Sequence, residues 1–381
     1  MVTLIRFELQ KVWLKRSFLS LMALLLLLNV FLLWYLNQPT GDEPPLCAYK
    51  AVCQDVSGMT EDEKFTYISD LKEQADGLSL VEQVQSLYSQ GSESGDSLAK
   101  QLKDNNSDIY KKYEEFYRTG DYLIYTDSLV KERILLDKLF EEISAVSGYE
   151  DYLASVQENS NQLGGISIFQ SSTSKETFGS RNIAKSAADH AEMSSADIRW
   201  FPSKGITMAV ESQATDLLLL LSVFLFVGQL IAEEKEKGLF AITRSTKRGL
   251  FADMGARIVA ILIHSGTVCL LLYGSNLIYA SSMAGIGNLS VSLQSLAPYM
   301  ESSFPISLAT FLALSLMTKI GVVFLLGLLL TACAVYSSHS FMPQLVGIGF
   351  LSLNWILYTF IPSHSSLNLL KYLSYFSLLR K

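Results

Sequence analysis

Charge is scarce in this chain. Of its 381 residues only 18% are Asp, Glu, Lys or Arg, against about 25% in an ordinary globular domain. With 49% apolar residues and a mean hydropathy of +0.27, this argues against a soluble globule, a disordered chain and a nucleic-acid binder. Cysteine is scarce too: there are four and no Cys-x-x-Cys pair, so a zinc ribbon or thioredoxin-like site has no basis. The four histidines, His190, His264, His339 and His364, are scattered and form no HExxH motif. GxSxG and Walker A stretches are also missing. Without them the chain shows no hydrolase constellation and cannot hold ATP by a P-loop. It is read as a non-enzyme with no cofactor, no metal and no nucleic-acid partner.

What is present comes in blocks. Residues 37–205 hold 16 Lys+Arg and 29 Asp+Glu, net −13, and the remainder carries net +6. An acidic, water-facing domain is thus spliced into a basic, apolar body. Span one is Phe18–Leu36, interrupted only by Ser20 and Asn29. At about 1.5 Å per residue it crosses a hydrocarbon core of about 30 Å. It is longer than a signal-peptide core and has no small-residue cleavage site. Lys11, Lys15 and Arg16 precede it and Asp42 and Glu43 follow it, which puts the N-terminus in the cytoplasm. Span two is Asp216–Ala232, extended backwards by 206–210. Span three is Ile258–Ala280, span four lies within Ile306–Tyr336 and span five within Pro343–Ile361. Between spans two and three, residues 233–257 are basic and read as cytoplasmic. Residues 281–305 have no basic residue and read as external.

Five spans leave the C-terminus outside, yet the tail 362–381 carries Lys371, Arg380 and Lys381. Either the tail lies along the outer interface, or a sixth span is missing from this chain; the second is the expectation taken. Lys319 divides two apolar runs. It is read either as a residue lining a pathway or as a helix start reaching the outer headgroups.

The acidic insertion is predicted to be mainly helical. Its entry, 37–45, is a proline-rich linker. Cys47 and Cys53 follow, as a small-loop disulfide or as two free thiols. Thr60–Glu63 forms a capping box, and Val130, Ile134, Leu135, Leu139 and Ile143 share one face of a helix. Tyrosines 110, 113, 117, 122 and 125 recur near helical spacing, as core or as a peptide-binding face.

The most informative stretch is 233–249, EEKEKGLFAITRSTKRG. Carboxylates at a span end face water or a partner, and Gly238 lets the chain turn. Leu239, Phe240 and Ile242 give a short apolar face, and Arg244, Lys247 and Arg248 a basic one. Such a helix lies on anionic lipid or inserts into a groove of a partner protein.

This loop resembles that of ABC-2 type transporter permeases, through Glu233, Glu234, Gly238, Ser245, Thr246, Arg248 and Arg257. One span, an extracellular insertion and then a block of spans is similar to a Gram-positive bacterial branch of that family. So are the segments 166–169 and 178–189. The family usually has six spans, one more than is visible here.

The resemblance implies an all-α polytopic protein of the bacterial plasma membrane. It implies a permease subunit of an ATP-driven exporter, with ATP and Mg²⁺ on a separate ATPase chain. A second permease copy or a homologous permease would complete it. The coupling residues would be Glu233, Glu234, Gly238, Leu239, Phe240, Ile242 and Arg248. The competing expectation is a non-transporting membrane sensor or immunity protein whose external domain binds a peptide.

Topology is testable directly. In a cysteine-free background, an impermeant thiol reagent applied to intact cells is expected to label Ser94→Cys and leave Ser245→Cys untouched. The reverse pattern would refute the orientation.

Overall fold

Long apolar runs without proline leave the backbone one way to satisfy its N–H and C=O groups in hydrocarbon, which is the helix. The computed structural model describes residues 2–119, 123–165, 196–236, 249–336 and 345–349. It also describes 185, 187–191, 193, 352, 356 and 360. Among the described residues the chain is helical, with one isolated bridge between Ser292 and Ser307 in place of any sheet. The helices are α1 (Val2–Trp13), α2 (Arg16–Leu36), α3 (Leu46–Asp55), α4 (Glu61–Ser89), α5 (Glu93–Asn105) and α6 (Ser107–Thr119). They continue as α7 (Leu129–Ser147), α8 (Tyr149–Gly165), α9 (Lys204–Val210), α10 (Gln213–Glu236), α11 (Gly249–Met283) and α12 (Leu308–Tyr336).

Two compact units result. The span unit gathers Met1–Asn37, Thr207–Tyr279 and Leu312–Lys381; the insertion unit gathers Gln38–Ile206 and Ala280–Phe311. Among the described residues four helical stretches are long and apolar enough to cross a membrane: Arg16–Leu36, Lys204–Ile231, Phe251–Met283 and Leu308–Val335. The second stretch comprises two helices, α9 and α10. Most of the expected fifth span, all of the tail and most of 166–189 lie outside the described residues.

Within the span unit the polarity is inverted relative to a soluble domain. Asn29, Asp216, His264, Asn276 and Lys319 are buried, while Leu27, Phe31, Leu270, Ile278, Met317 and Leu325 are exposed. An exposed apolar surface of that extent is what lipid chains cover. One element was not anticipated. The residues before span one form a separate helix, α1, which buries Glu8 and Val12 and exposes Val2 and Phe7. Lys11 Nζ donates to the Leu230 carbonyl at 3.1 Å, tying α1 to the far end of α10.

The insertion unit is organised by α4, a 29-residue helix about 44 Å long at about 1.5 Å per residue. It opens with the predicted capping box. Glu63 N–H donates to Thr60 Oγ1 at 3.4 Å, and Thr60 N–H donates to Glu63 Oε2 at 2.8 Å. The Thr60 N–H, together with the Thr60 hydroxyl that donates to Glu63 Oε2 at 3.0 Å, holds the Glu63 carboxyl below its ordinary range. One core joins α3, Ile68 of α4 and Leu135, Leu139 and Ile143 of α7. A second joins Leu78, Val81 and Val84 of α4 to Ala99, Tyr110 and Tyr113. At Gly77 a Cβ would lie 2.2 Å from the Tyr113 ring, so only glycine admits this tyrosine against α4.

Tyr110, Tyr113 and Tyr125 are therefore core residues, not a peptide-binding face; Tyr122 lies outside the described residues. The apolar face of α7 is rotated from the predicted one. Val130 is 46% exposed and Ile134 half-buried, because the buried stripe is Leu129, Leu135, Leu136, Leu139, Ile143 and Val146.

A further expectation is corrected. Cys47 and Cys53 are free thiols. Both sit on α3, and six residues of helix separate them by about 9 Å, beyond the roughly 7 Å Cα reach of a disulfide. Burial pushes the Cys53 thiol up to about 11, away from reactivity at neutral pH.

Residues 281–305 belong to the insertion unit and do more than connect two helices. They complete the insertion unit: Ser292 N–H donates to the Asp197 carbonyl at 3.0 Å, and Arg199 N–H donates to Ser295 Oγ at 3.1 Å. Lys50 Nζ caps the Ser282 carbonyl at 2.8 Å, and the buried Gln294 amide donates to the Ser302 and Phe304 carbonyls.

Leu139→Ala is expected to destabilise the insertion unit by about 2–5 kcal/mol, through lost transfer energy and a residual cavity. Val130→Ala should change stability by less than about 0.5 kcal/mol. Chemical denaturation followed by circular dichroism checks the contrast.

Candidate functional site

The buried polar groups of the span unit gather where α10 begins. Ser212 caps that helix: its hydroxyl accepts from the Thr215 N–H at 3.4 Å, and its carbonyl accepts from the Asp216 N–H at 3.1 Å. This puts Thr215 and Asp216 side by side in the first turn, where a carboxylate is favoured by the helix dipole. Each then heads a different interaction.

Asp216 accepts from Lys319 Nζ of α12 at 2.8 Å and from the Tyr273 hydroxyl of α11. The ammonium also lies 4.6 Å from the centre of the Tyr273 ring. Both charged side chains are buried. The pair thus ties three candidate spans together. The headgroup reading of Lys319 is thereby corrected: α12 runs unbroken from Leu308 to Tyr336, and the lysine is in its interior at 1% exposure.

Thr215 heads an amide network. Its hydroxyl donates to Asn29 Oδ1 of α2 at 2.7 Å and accepts from Asn276 Nδ2 of α11 at 2.9 Å. Asn29 Nδ2 donates to Asn276 Oδ1 at 2.7 Å and to Ser275 Oγ at 3.0 Å. Asn276 Nδ2 also reaches the Ala209 carbonyl of α9 at 3.2 Å. A fourth helix therefore joins the same region. Such side-chain bonds are the usual glue between helices in lipid, where the apolar surfaces have no preference for one another.

Two other buried groups lie further towards the start of α11. His264 Nδ1 accepts from Trp13 Nε1–H of α1 at 3.2 Å, so its Nε2 faces Ser222 Oγ at 3.1 Å as the donor. Its ring stacks on Phe226 at 4.1 Å. Arg257, fully buried, pairs with Asp253 one turn earlier on α11 at 2.7 Å.

Of the residues singled out in the sequence, Lys319 is brought into this site. Glu233 and Glu234 fall in the last turn of α10, with their side chains outside the described residues. Gly238, Leu239, Phe240, Ile242 and Arg248 are also outside them. Asp216, Tyr273, Asn276 and His264 were missed. Asp216 had been read as a span boundary. The available signal was that Asp216 and Lys319 are opposite charges, each bordering an apolar run.

Asp216, Lys319, Tyr273, Thr215, Asn29 and Asn276 satisfy one another, and no group of His, Cys, Asp or Glu among the described residues is placed to hold a metal ion. What the arrangement can do is hold helices in one register and resist their separation. No family model matches the chain, and no curated protein or solved structure is significantly similar to it.

Asp216→Asn or Lys319→Met alone is expected to destabilise the protein by about 3 kcal/mol, because each strands a buried charge. The double variant Asp216→Asn/Lys319→Met should lose less than the sum of the two single ones. Thermal unfolding in micelles checks this, and additive losses would show that the two residues are not coupled.

Proposed function

We propose that this chain is the membrane-spanning permease subunit of an ATP-driven exporter. It lies in a bacterial plasma membrane, with a cytoplasmic N-terminus and the insertion unit outside. ATP is hydrolysed on a separate ATPase chain, and a second permease copy or homologous permease completes the pathway. The loop after α10 docks on the ATPase, and its displacement moves the spans as rigid bodies.

One observation carries the topology of this reading. Residues 38–206 and 280–311 belong to a single compact unit. Two segments that fold together lie on the same side of a bilayer. Spans two and three between them then form a hairpin, whose connection, 237–248, is on the opposite side. This supports a cytoplasmic placement for the acidic–glycine–apolar–basic stretch, where a soluble ATPase is available.

The buried charges support the same reading. Intramembrane ionisable residues are expensive and mark moving or conducting parts more often than inert ones. Asp216 and Lys319 belong to different helices, so any change in helix packing must first part or carry along this pair.

The docking surface is testable. Leu239, Phe240 and Ile242 are the anchors, and Glu234 and Arg248 orient them. An apolar anchor that is desolvated contributes more than rim charges. Phe240→Ala is expected to weaken pull-down of the ATPase by about tenfold or more, and Lys247→Ala to weaken it far less. If Lys247→Ala abolishes binding and Phe240→Ala does not, the loop is a lipid-facing element. If no ATPase co-purifies with the wild type, the non-transporting sensor becomes the better reading.

A further inference from the structure

The helix α1 is too short to be a span. Its 12 residues reach about 18 Å, against a hydrocarbon core of about 30 Å. Nor does it continue α2. Lys15 between them is extended, at φ −69° and ψ 123°, so the chain leaves one helix before Arg16 opens the next. A short helix joined by such a break to the start of a span belongs at the level where the span meets water.

Its inner face holds it in place. Glu8 and Val12 are buried, Lys11 Nζ donates to the Leu230 carbonyl at 3.1 Å, and Trp13 Nε1–H donates to His264 Nδ1 at 3.2 Å. These bonds join α1 to α10 and α11 within one compact unit, so its outer face is a fixed surface.

That outer face is apolar where a water-facing helix would be polar. Val2, Phe7 and Leu14 are 80%, 61% and 68% exposed. Large apolar groups exposed together mark a surface that something apolar covers. Charge is an independent pointer to what that is. Residues 1–41 hold four basic side chains, Arg6, Lys11, Lys15 and Arg16, and one acidic one, Glu8. Glu8 is 2% exposed and lies 3.8 Å from Lys11. Arg6 and Arg16 are exposed and have no ion-pair partner among the described residues. Acid turned inward, with cations and an aromatic turned outward, is the pattern of a helix lying on an anionic bilayer surface. The span that starts at Arg16 brings headgroups to this level whatever else the protein binds, so lipid is the occupant the position favours.

We propose that α1 docks on anionic lipid. Val2, Phe7 and Leu14 enter the acyl boundary of the leaflet, and Arg6 and Arg16 pair with negatively charged headgroups. The proposal needs only that α2 crosses the bilayer, and it holds for the exporter and the sensor alike.

The test uses the full-length protein in nanodiscs, with its native cysteines replaced by alanine. Gln10→Cys carries a bimane label on the exposed side of α1, one turn from Phe7. Discs are made of phosphatidylcholine alone or with an equal part of phosphatidylglycerol, each with and without brominated acyl chains. Brominated lipid is expected to quench the label, and to quench it more in the discs that contain phosphatidylglycerol. A cation near an anionic surface is worth about fivefold in binding. Arg6→Gln/Arg16→Gln should therefore remove the gain from phosphatidylglycerol, and Arg6→Lys/Arg16→Lys should keep it. Raised salt should reduce the gain in the parent protein.

A label that brominated lipid leaves unquenched in both kinds of disc means that α1 faces water or a protein partner, and overturns the proposal. Equal quenching in the two kinds of disc overturns it too, since anionic headgroups then play no part. So does a gain that survives Arg6→Gln/Arg16→Gln. Should that pair fail to fold, the parent protein decides: a gain that raised salt leaves unchanged is again an overturning result.

Discussion

A lysine inside an apolar helix bundle must find a counter-charge, and in this protein it finds Asp216. That requirement constrains much of the span unit. Asp216 is held inward because Ser212 caps α10 and fixes the first turn. Tyr273 must stand close enough to donate to the same carboxylate, which sets the rotation of α11. The neighbouring Thr215 then faces Asn29 and Asn276, and α2 is drawn into the same register. Apolar contacts alone are interchangeable along a helix. Directional bonds between Asp216, Lys319, Thr215 and Asn276 are not, and a buried network that is fully satisfied selects one packing over its neighbours.

The insertion unit solves the opposite problem. It is acidic, and its helices are specified by apolar stripes, caps and a few close contacts. Its α4 has little amphipathic character of its own because it is packed along its length by α5, α6 and α7. Glu132 shows how a buried carboxylate is used structurally in this unit. It accepts from the Tyr125 and Thr126 N–H groups and from the Thr126 hydroxyl, closing the loop ahead of α7. Glu142, also largely buried, accepts from the Ser203 N–H at 3.1 Å and hydroxyl at 2.6 Å, and burial raises its carboxyl above the usual range.

What could be read in advance follows from the range of each interaction. Spans one to four were legible because length and hydropathy are local properties. The Thr60–Glu63 capping box was legible for the same reason. The α7 face was displaced because several apolar residues compete there, and tertiary contact with α3 and α4 chose the stripe through Leu135 and Leu139. The Cys47–Cys53 bridge failed because sequence spacing says nothing of whether the intervening residues are helical. The site was half legible. Lys319 announced itself as a charge between apolar runs, whereas Asp216, at a run's edge, looked like a boundary. Only the packing of α10 against α12 joins them. The role of 280–311 in the insertion unit was invisible, since its bonds to Asp197 and Arg199 span about a hundred residues of chain.

That last feature bears on how the protein is made. The chain is synthesised from its N-terminus at about 5–20 residues per second. Residues 38–206 are complete while 280–311 are still unmade, and α10 and most of α11 must be made in between. For roughly 5–20 seconds at that rate, the edge carrying Asp197, Arg199 and Trp200 waits without its partner segment. The insertion unit therefore cannot finish folding until the chain between its two segments has been made.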